Sequence, residues 1–176
     1  TYINARNVLS PGGEMMISTV WDVTDRKRAN EALRESEERY RDLAEMSPGG
    51  IFRTDPQGSC LYVNEQWRLI AGLTTEDALG DGWVKAIHPD DRERIAKEWA
   101  DFVQTGGVFE SEYRFLSPDG HMSWVFGQAA TDRDGQGNVI GYTGWLTNIT
   151  ARKEAEAERK KLEAQFLQSQ KMDAIG

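Results

Sequence analysis

The sequence predicts an α+β domain, a five-stranded antiparallel sheet with short helices on one face, flanked by N- and C-terminal helices. Three patterns predict it. Between residues 47 and 150, two short strand-like stretches precede several short helical ones, and three longer strand-like stretches follow. Turn sequences separate the strands, and charged runs with helical spacing lie on both sides of the segment. A strand–Thr–helix unit also occurs twice, once before the segment and once at its end.

The first copy of that unit begins with the β-rich stretch 15–23 and runs through Asp22-Val23-Thr24-Asp25-Arg26-Lys27. The second begins with 139–149 and runs through Asn148-Ile149-Thr150-Ala151-Arg152-Lys153. A Thr or Asp oxygen at such a junction can take the first free N–H groups of the helix. Residues 25–45 read as a helix, with Ala29, Leu33, Ser36, Tyr40 and Leu43 at 4-3-4-3 spacing and charge elsewhere. That stripe suits either a weak coiled-coil seam or a solvated helix packed on its own domain. Ser47-Pro48-Gly49-Gly50 ends the helix.

Residues 50–54 and 59–63 are strand candidates around the turn Asp55-Pro56-Gln57-Gly58. A short helix is expected over 64–71, and helical turns over 74–79 and 82–87. The longest helix of this segment, 90–104, opens with His88-Pro89-Asp90-Asp91, which sets acids on its positive end. Its apolar face is Ile95, Trp99, Phe102 and Val103. Strands over 108–116, 121–131 and 139–149 are joined at Ser117-Pro118-Asp119-Gly120 and at residues 132–138. Helices covering one face of the sheet would close a pocket against it.

Composition narrows the function. The net charge is −8 and the basic residues are interspersed with acidic ones, which argues against nucleic acid as a partner. A hydrophobic fraction of 39% with six Trp, six Phe and five Tyr can build a core. The charged fraction of 28% and mean hydropathy of −0.63 require solvated extensions beside that core. Cys60 stands alone, so no internal disulfide framework exists and a reducing cytoplasm is the expected compartment. No apolar run reaches the roughly 18 residues a membrane helix needs, so no membrane contact is expected of this stretch. The chain opens at Thr1 and is read as a fragment, whose parent could be anchored upstream.

The segment 47–150 resembles a PAS domain with its C-terminal PAC motif. The resemblance lies in Ile51-Phe52-Arg53-Thr54-Asp55 with Gly58, in Tyr62-Val63-Asn64, and in Gly80 with Trp83. It continues in His88-Pro89-Asp90-Asp91-Arg92, Glu112-Tyr113-Arg114, Asp119-Gly120 with Trp124, and Asp134-Gly135 with Gly141. It closes on Asn148-Ile149-Thr150, where the family commonly carries Asp in place of Asn148, a change that removes a charge from the junction. Residues 1–24 resemble the last strands of a preceding PAS/PAC domain; with unpaired edges, they are expected to be disordered or to pair with a neighbour. Residues 25–46 are then a helical linker and 151–176 a signalling helix leading to an absent kinase dimerisation domain. The run Gln168-Ser169-Gln170-Lys171-Met172-Asp173-Ala174-Ile175-Gly176 resembles the segment just before the phosphoacceptor histidine box of histidine kinases.

No catalytic residue is expected within this stretch. His88 belongs to a helix start and His121 to a hairpin, and the 90–104 helix, where haem-binding relatives place their ligand, contains no His. No His/Cys/Asp set has metal-ligand spacing. Cys60 lies on a strand, whereas the flavin photosensors carry their reactive Cys after an Asn; here Asn64 is followed by Glu65-Gln66-Trp67-Arg68. Neither haem nor flavin is therefore expected. Glu110, Glu112, Asp90 and Asp91 have no partner arranged for acid/base work, and no phosphate-binding loop is present. The aromatic set Trp83, Trp99, Phe102, Tyr113, Phe115, Trp124, Phe126 and Trp145 reads first as core, with a subset lining a cavity for a small apolar or aromatic ligand.

What the resemblance implies is a sensory module of a two-component sensor histidine kinase. Signal would pass from the core through Asn148, Ile149 and Thr150, the junction echoed upstream by Asp22 and Thr24, into the stripe Ala155, Leu162, Gln165/Phe166, Ser169 and Met172. The expected partners are a second copy through the flanking helices, kinase domains in cis, and a response regulator of the parent. A diguanylate cyclase parent and a ligand-free dimerisation module are the alternatives.

Overall fold

The computed structural model describes residues 3–9, 15–21 and 24–173, with side chains from residue 25 to residue 172. Asp22 and the terminal Ala174, Ile175 and Gly176 lie outside the described residues, as does the Thr24 side chain. The chain divides into two compact units, residues 1–43 and 44–176.

In the first unit, β1 (Ile3–Leu9) pairs antiparallel with β2 (Met15–Trp21), from Ile3 opposite Trp21 to Leu9 opposite Met15. The two strands thus pair with each other, where the sequence led us to expect disorder or a neighbour's edge. Helix α1 (Thr24–Glu45) follows, with Leu33, Tyr40 and Leu43 of the heptad stripe exposed.

The second unit holds a five-stranded antiparallel sheet in the order β4-β3-β7-β6-β5. Its strands are β3 (Gly50–Thr54), β4 (Cys60–Val63), β5 (Val108–Leu116), β6 (Met122–Arg133) and β7 (Val139–Asn148). Helices α2 (Glu65–Ala71), α3 (Thr75–Ala78) and α4 (Pro89–Thr105), with a 3₁₀ turn at Gly82–Ala86, connect β4 to β5, and α5 (Thr150–Asp173) leaves from β7. Both sheet edges are partly covered, which blunts edge-to-edge association. Cys60 and Gly80 exchange backbone hydrogen bonds of 2.8 and 2.9 Å along β4, and His88 N–H donates to the Arg114 carbonyl of β5 at 2.8 Å.

The core sits between the sheet and α2, α3 and α4. Alternation along β5 buries Phe109, Tyr113 and Phe115, and β6 and β7 add Val125, Ala129, Tyr142 and Leu146. The helices contribute Trp67, Ile70, Ile95, Trp99 and Phe102. Two glycines make this packing possible. Gly58, at φ 89°, closes the β3–β4 turn, and a Cβ there would lie 2.8 Å from Trp99 Nε1. At Gly144 a Cβ would lie 2.3 Å from Phe52 Cζ, so only a bare backbone lets the Phe52 ring lie across β7.

Side chains cap the starts of α2 and α4. Asn64 caps α2 by accepting from Trp67 N–H at 2.9 Å, and His88 Nδ1 accepts from Asp90 N–H at 3.3 Å with Pro89 as the first helical residue. Among the described residues, no helix is long and apolar enough to cross a membrane.

Candidate functional site

The core encloses a cavity of about 30 Å³. Strands β3 and β4 supply Phe52, Thr54, Cys60 and Val63; α2, the 3₁₀ turn and α4 supply Trp67, Trp83 and Trp99; β5 supplies Phe109, Tyr113 and Phe115. Trp99 is the hub. Its ring meets those of Phe52, Trp83, Phe102, Phe109 and Tyr142 at centroid distances of 5.3 to 6.0 Å, and its indole N–H donates to the Gly58 carbonyl at 3.1 Å.

Two polar side chains of this wall are committed to backbone. Thr54 Oγ1 donates to the Asp55 carbonyl at 3.1 Å, and the Cys60 thiol points to the Tyr62 carbonyl at 3.7 Å. Burial pushes the Cys60 thiol above its ordinary value, so it stays protonated and un-nucleophilic. Burial likewise pushes the Tyr113 phenol up, with the Glu98 charge adding to it. Such a wall can hold a small apolar group, and it offers no acid, base or nucleophile.

Of the aromatic residues expected to line a pocket, the structure brings together Trp83, Trp99, Tyr113 and Phe115. Phe102 is buried behind Trp99 without reaching the cavity. Trp124, Phe126 and Trp145 require a correction: they point to the opposite face of the sheet, and Trp145 is 45% exposed. On β6 the inward positions are the small ones, Ser123, Val125, Gly127 and Ala129, because large rings from elsewhere fill that space. A Cβ on Gly127 would lie 2.9 Å from the Tyr113 hydroxyl. Reading every large aromatic as inward misses such a strand; its period-2 alternation of small with large was the available signal. Phe52, Trp67 and Phe109 were missed because nothing local marks which apolar residues face one another across the fold.

Two junctions lie at the ends of this core, one around Ala44 and Glu45 and one where β7 meets α5. At the upstream one, Asn64 is fully buried and all of its side-chain groups are used. Its Oδ1 accepts from Ile51 N–H at 2.7 Å and from Trp67 N–H, and its Nδ2 donates to the carbonyls of Ala44 at 2.7 Å and Gly49 at 3.0 Å. Glu45 adds a second tie, accepting from the Tyr62 hydroxyl and from Glu65 N–H at 2.7 Å each.

At the downstream junction, β7 passes into α5 without an intervening loop. Asn148 Oδ1 accepts from Thr150 N–H at 3.0 Å and Thr150 Oγ1 at 2.7 Å. Trp124 N–H donates to Thr150 Oγ1 at 2.9 Å, Ile149 N–H donates to the Trp124 carbonyl at 2.8 Å, and Ile149 is buried. The charge missing at Asn148 is supplied from β5: Glu112 pairs with both Arg152 and Lys153 in the first turn of α5. Those contacts, Lys153 first and Arg152 second, hold the Glu112 carboxyl below its ordinary value. Asp91 at the start of α4 is held down in the same way by Arg114, whose side chain and backbone both donate to it.

Both carboxylates therefore stabilise the fold above their ordinary values of 3.8 and 4.5, and that contribution disappears as pH falls through their lowered values. The melting temperature of the chain is expected to be level from pH 7 to about 5 and to fall below about pH 4. Asp91→Asn combined with Glu112→Gln should make the acid limb shallower in a pH series of thermal melts. An acid limb of unchanged steepness would assign it to other carboxylates.

The PAS fold family matches residues 60–146. The uncharacterized protein y4lL of Sinorhizobium fredii is 33% identical over 165 residues, covering 92% of this chain and 20% of that protein. The peroxide stress-activated histidine kinase mak1 of Schizosaccharomyces pombe is 29% identical over 174 residues, covering 89% of this chain and 11% of the kinase. The N-terminal domain of a diguanylate cyclase with PAS/PAC sensor from Marinobacter aquaeolei superposes with a TM-score of 0.55 at 22% identity, covering 60% of this chain and 98% of that domain. That last likeness is one of fold. The chain thus spans a fifth or less of the length of these curated relatives.

Proposed function

Residues 60–146 make this chain a member of the PAS family of sensory domains, and on that premise we propose that it is the regulatory module of a two-component sensor histidine kinase. The observation that carries the reading is the direct passage of β7, a central strand of the sheet, into α5. The Lys153 N–H donates to the Ile149 carbonyl at 3.0 Å, so helical bonding begins at the sheet itself. A change in the sheet then rotates or shifts α5, and a helix pair with discrete packings converts that shift into a change of kinase output.

The kinase parent is supported by the likeness to mak1 and by the resemblance of residues 168–176 to the segment that precedes a histidine box. Leu162, Phe166 and Met172 are exposed along α5, which suits a parallel pairing with a second copy of the chain. Kinase domains in cis and a response regulator complete the proposed partners, with the reduced cytoplasm as the compartment that suits the unpaired Cys60. A cavity of about 30 Å³ favours a very small apolar ligand, or an unliganded core, over haem or flavin, which need sites of roughly 300 Å³ or more. A diguanylate cyclase parent is the second reading, since the same fold and outgoing helix would serve it equally.

The test is autophosphorylation of the full-length protein with residues 47–150 replaced by a helical linker. The replacement is expected to change the basal rate several-fold and to abolish any response to stimulus. A rate equal to that of the intact protein would overturn the reading.

A further inference from the structure

Two ion pairs from different parts of the fold converge on one indole ring. Arg114 Cζ lies 5.5 Å and Lys153 Nζ lies 5.1 Å from the centroid of the Trp124 ring. Two cations near one ring repel each other unless each has its own counter-charge. Arg114 has Asp91, which accepts from its Nε and backbone N–H at 2.9 Å and from its Nη2 at 2.8 Å. Lys153 has Glu112. Asp91 is 8% exposed, so it cannot part from Arg114 without leaving a buried charge unpaired.

We propose that Trp124 is the positioning residue through which α4 sets the seating of α5. The line runs from Asp91 in the first turn of α4, through Arg114 on β5 and the Trp124 ring on β6, to Lys153 in the first turn of α5, with Glu112 clamping Lys153 and Arg152 in place. Helix α4 also carries Trp99, which lines the cavity. A displacement of α4 that follows filling or emptying of the cavity moves Arg114 and with it the ring against which Lys153 rests. This route does not run along β7, and it gives α5 a second point of control. It rests on the reading of α5 as the output helix.

The test is amide hydrogen exchange of the chain, read at residues 150–156 and, as an internal reference, in the interior of β6 and β7. Trp124→Leu, which keeps the site apolar and removes the ring, should accelerate exchange at 150–156 by roughly fivefold or more relative to the reference. Trp124→Phe, which restores a ring face, should recover most of the protection. Asp91→Asn should accelerate the same peptide and should add little in the Trp124→Leu background, as a shared route requires. A merely structural Asp91 would loosen α4 and β5 and leave 150–156 unchanged. Unchanged exchange there in Trp124→Leu overturns the proposal.

Autophosphorylation of the full-length protein separates this failure from failure of the output reading. If a one-residue insertion near Glu158 alters output and Trp124→Leu does not, the route through Trp124 is wrong and the output helix stands. If neither alters output, the output reading itself fails, whatever the exchange data show.

Discussion

Trp99→Ala is expected to lower the stability of the 44–176 unit by about 3–5 kcal/mol. The side chain is 8% exposed and holds together rings from β3, β5, β7, α4 and the 3₁₀ turn. Its removal forfeits the apolar burial, the edge-to-face contacts and the hydrogen bond to the Gly58 carbonyl, and it enlarges a cavity that is already present. At a stability of about 5–15 kcal/mol for a domain, this loss is a large share of the total. In urea the unfolding midpoint should fall by roughly 2 M. Trp99→Phe, which retains most of the burial and loses the indole N–H, should cost about 1–2 kcal/mol. Indole supplied at millimolar concentration should restore part of the Trp99→Ala loss by occupying the opened space. A Trp99→Ala variant within 1 kcal/mol of the parent would mean that the rings around it repack freely.

The course of the fold was largely readable from local pattern. The turn at Asp55-Pro56-Gln57-Gly58, the Pro-led start of α4 and the three long strands with their intervening turns each carry their signal within a few residues. Hairpin-linked strands then pair with their sequence neighbours, and only the β3–β7 pairing requires a long-range step. The lining of the cavity was only partly readable. Large size argues for burial, and that argument succeeds for Trp99 and Tyr113 and fails for Trp124, Phe126 and Trp145, which the alternation of β6 and β7 turns to the face away from the core. The value of Asn64 was also hidden. A cap at that position is a local inference, whereas its bonds to Ala44, Gly49 and Ile51 exist only after β3 and residues 44–49 are set beside it. The pairing of Glu112 with Arg152 and Lys153 is of the same kind. It depends on the register that sets Glu112 opposite Phe126 and Phe126 opposite Thr147, next to the start of α5.

The second large effect is expected in output. A helix advances by about 100° and 1.5 Å per residue, so one residue inserted near Glu158 swings everything beyond it to another face. Leu162, Phe166 and Met172 would then leave the side on which the proposed partner helix would meet them, while Glu112, Arg152 and Lys153, upstream of the insertion, keep their contacts. Seven inserted residues restore the phase to within about 20° and lengthen the helix without turning its stripe. The two variants therefore separate rotation from length, and neither touches the core.

The most direct test is the autophosphorylation rate of the full-length protein carrying one or seven extra residues after Glu158. A lever running from β7 through α5 predicts a change of about tenfold or more with one residue and near-parental behaviour with seven. Unchanged basal and stimulated rates in the one-residue variant would contradict it.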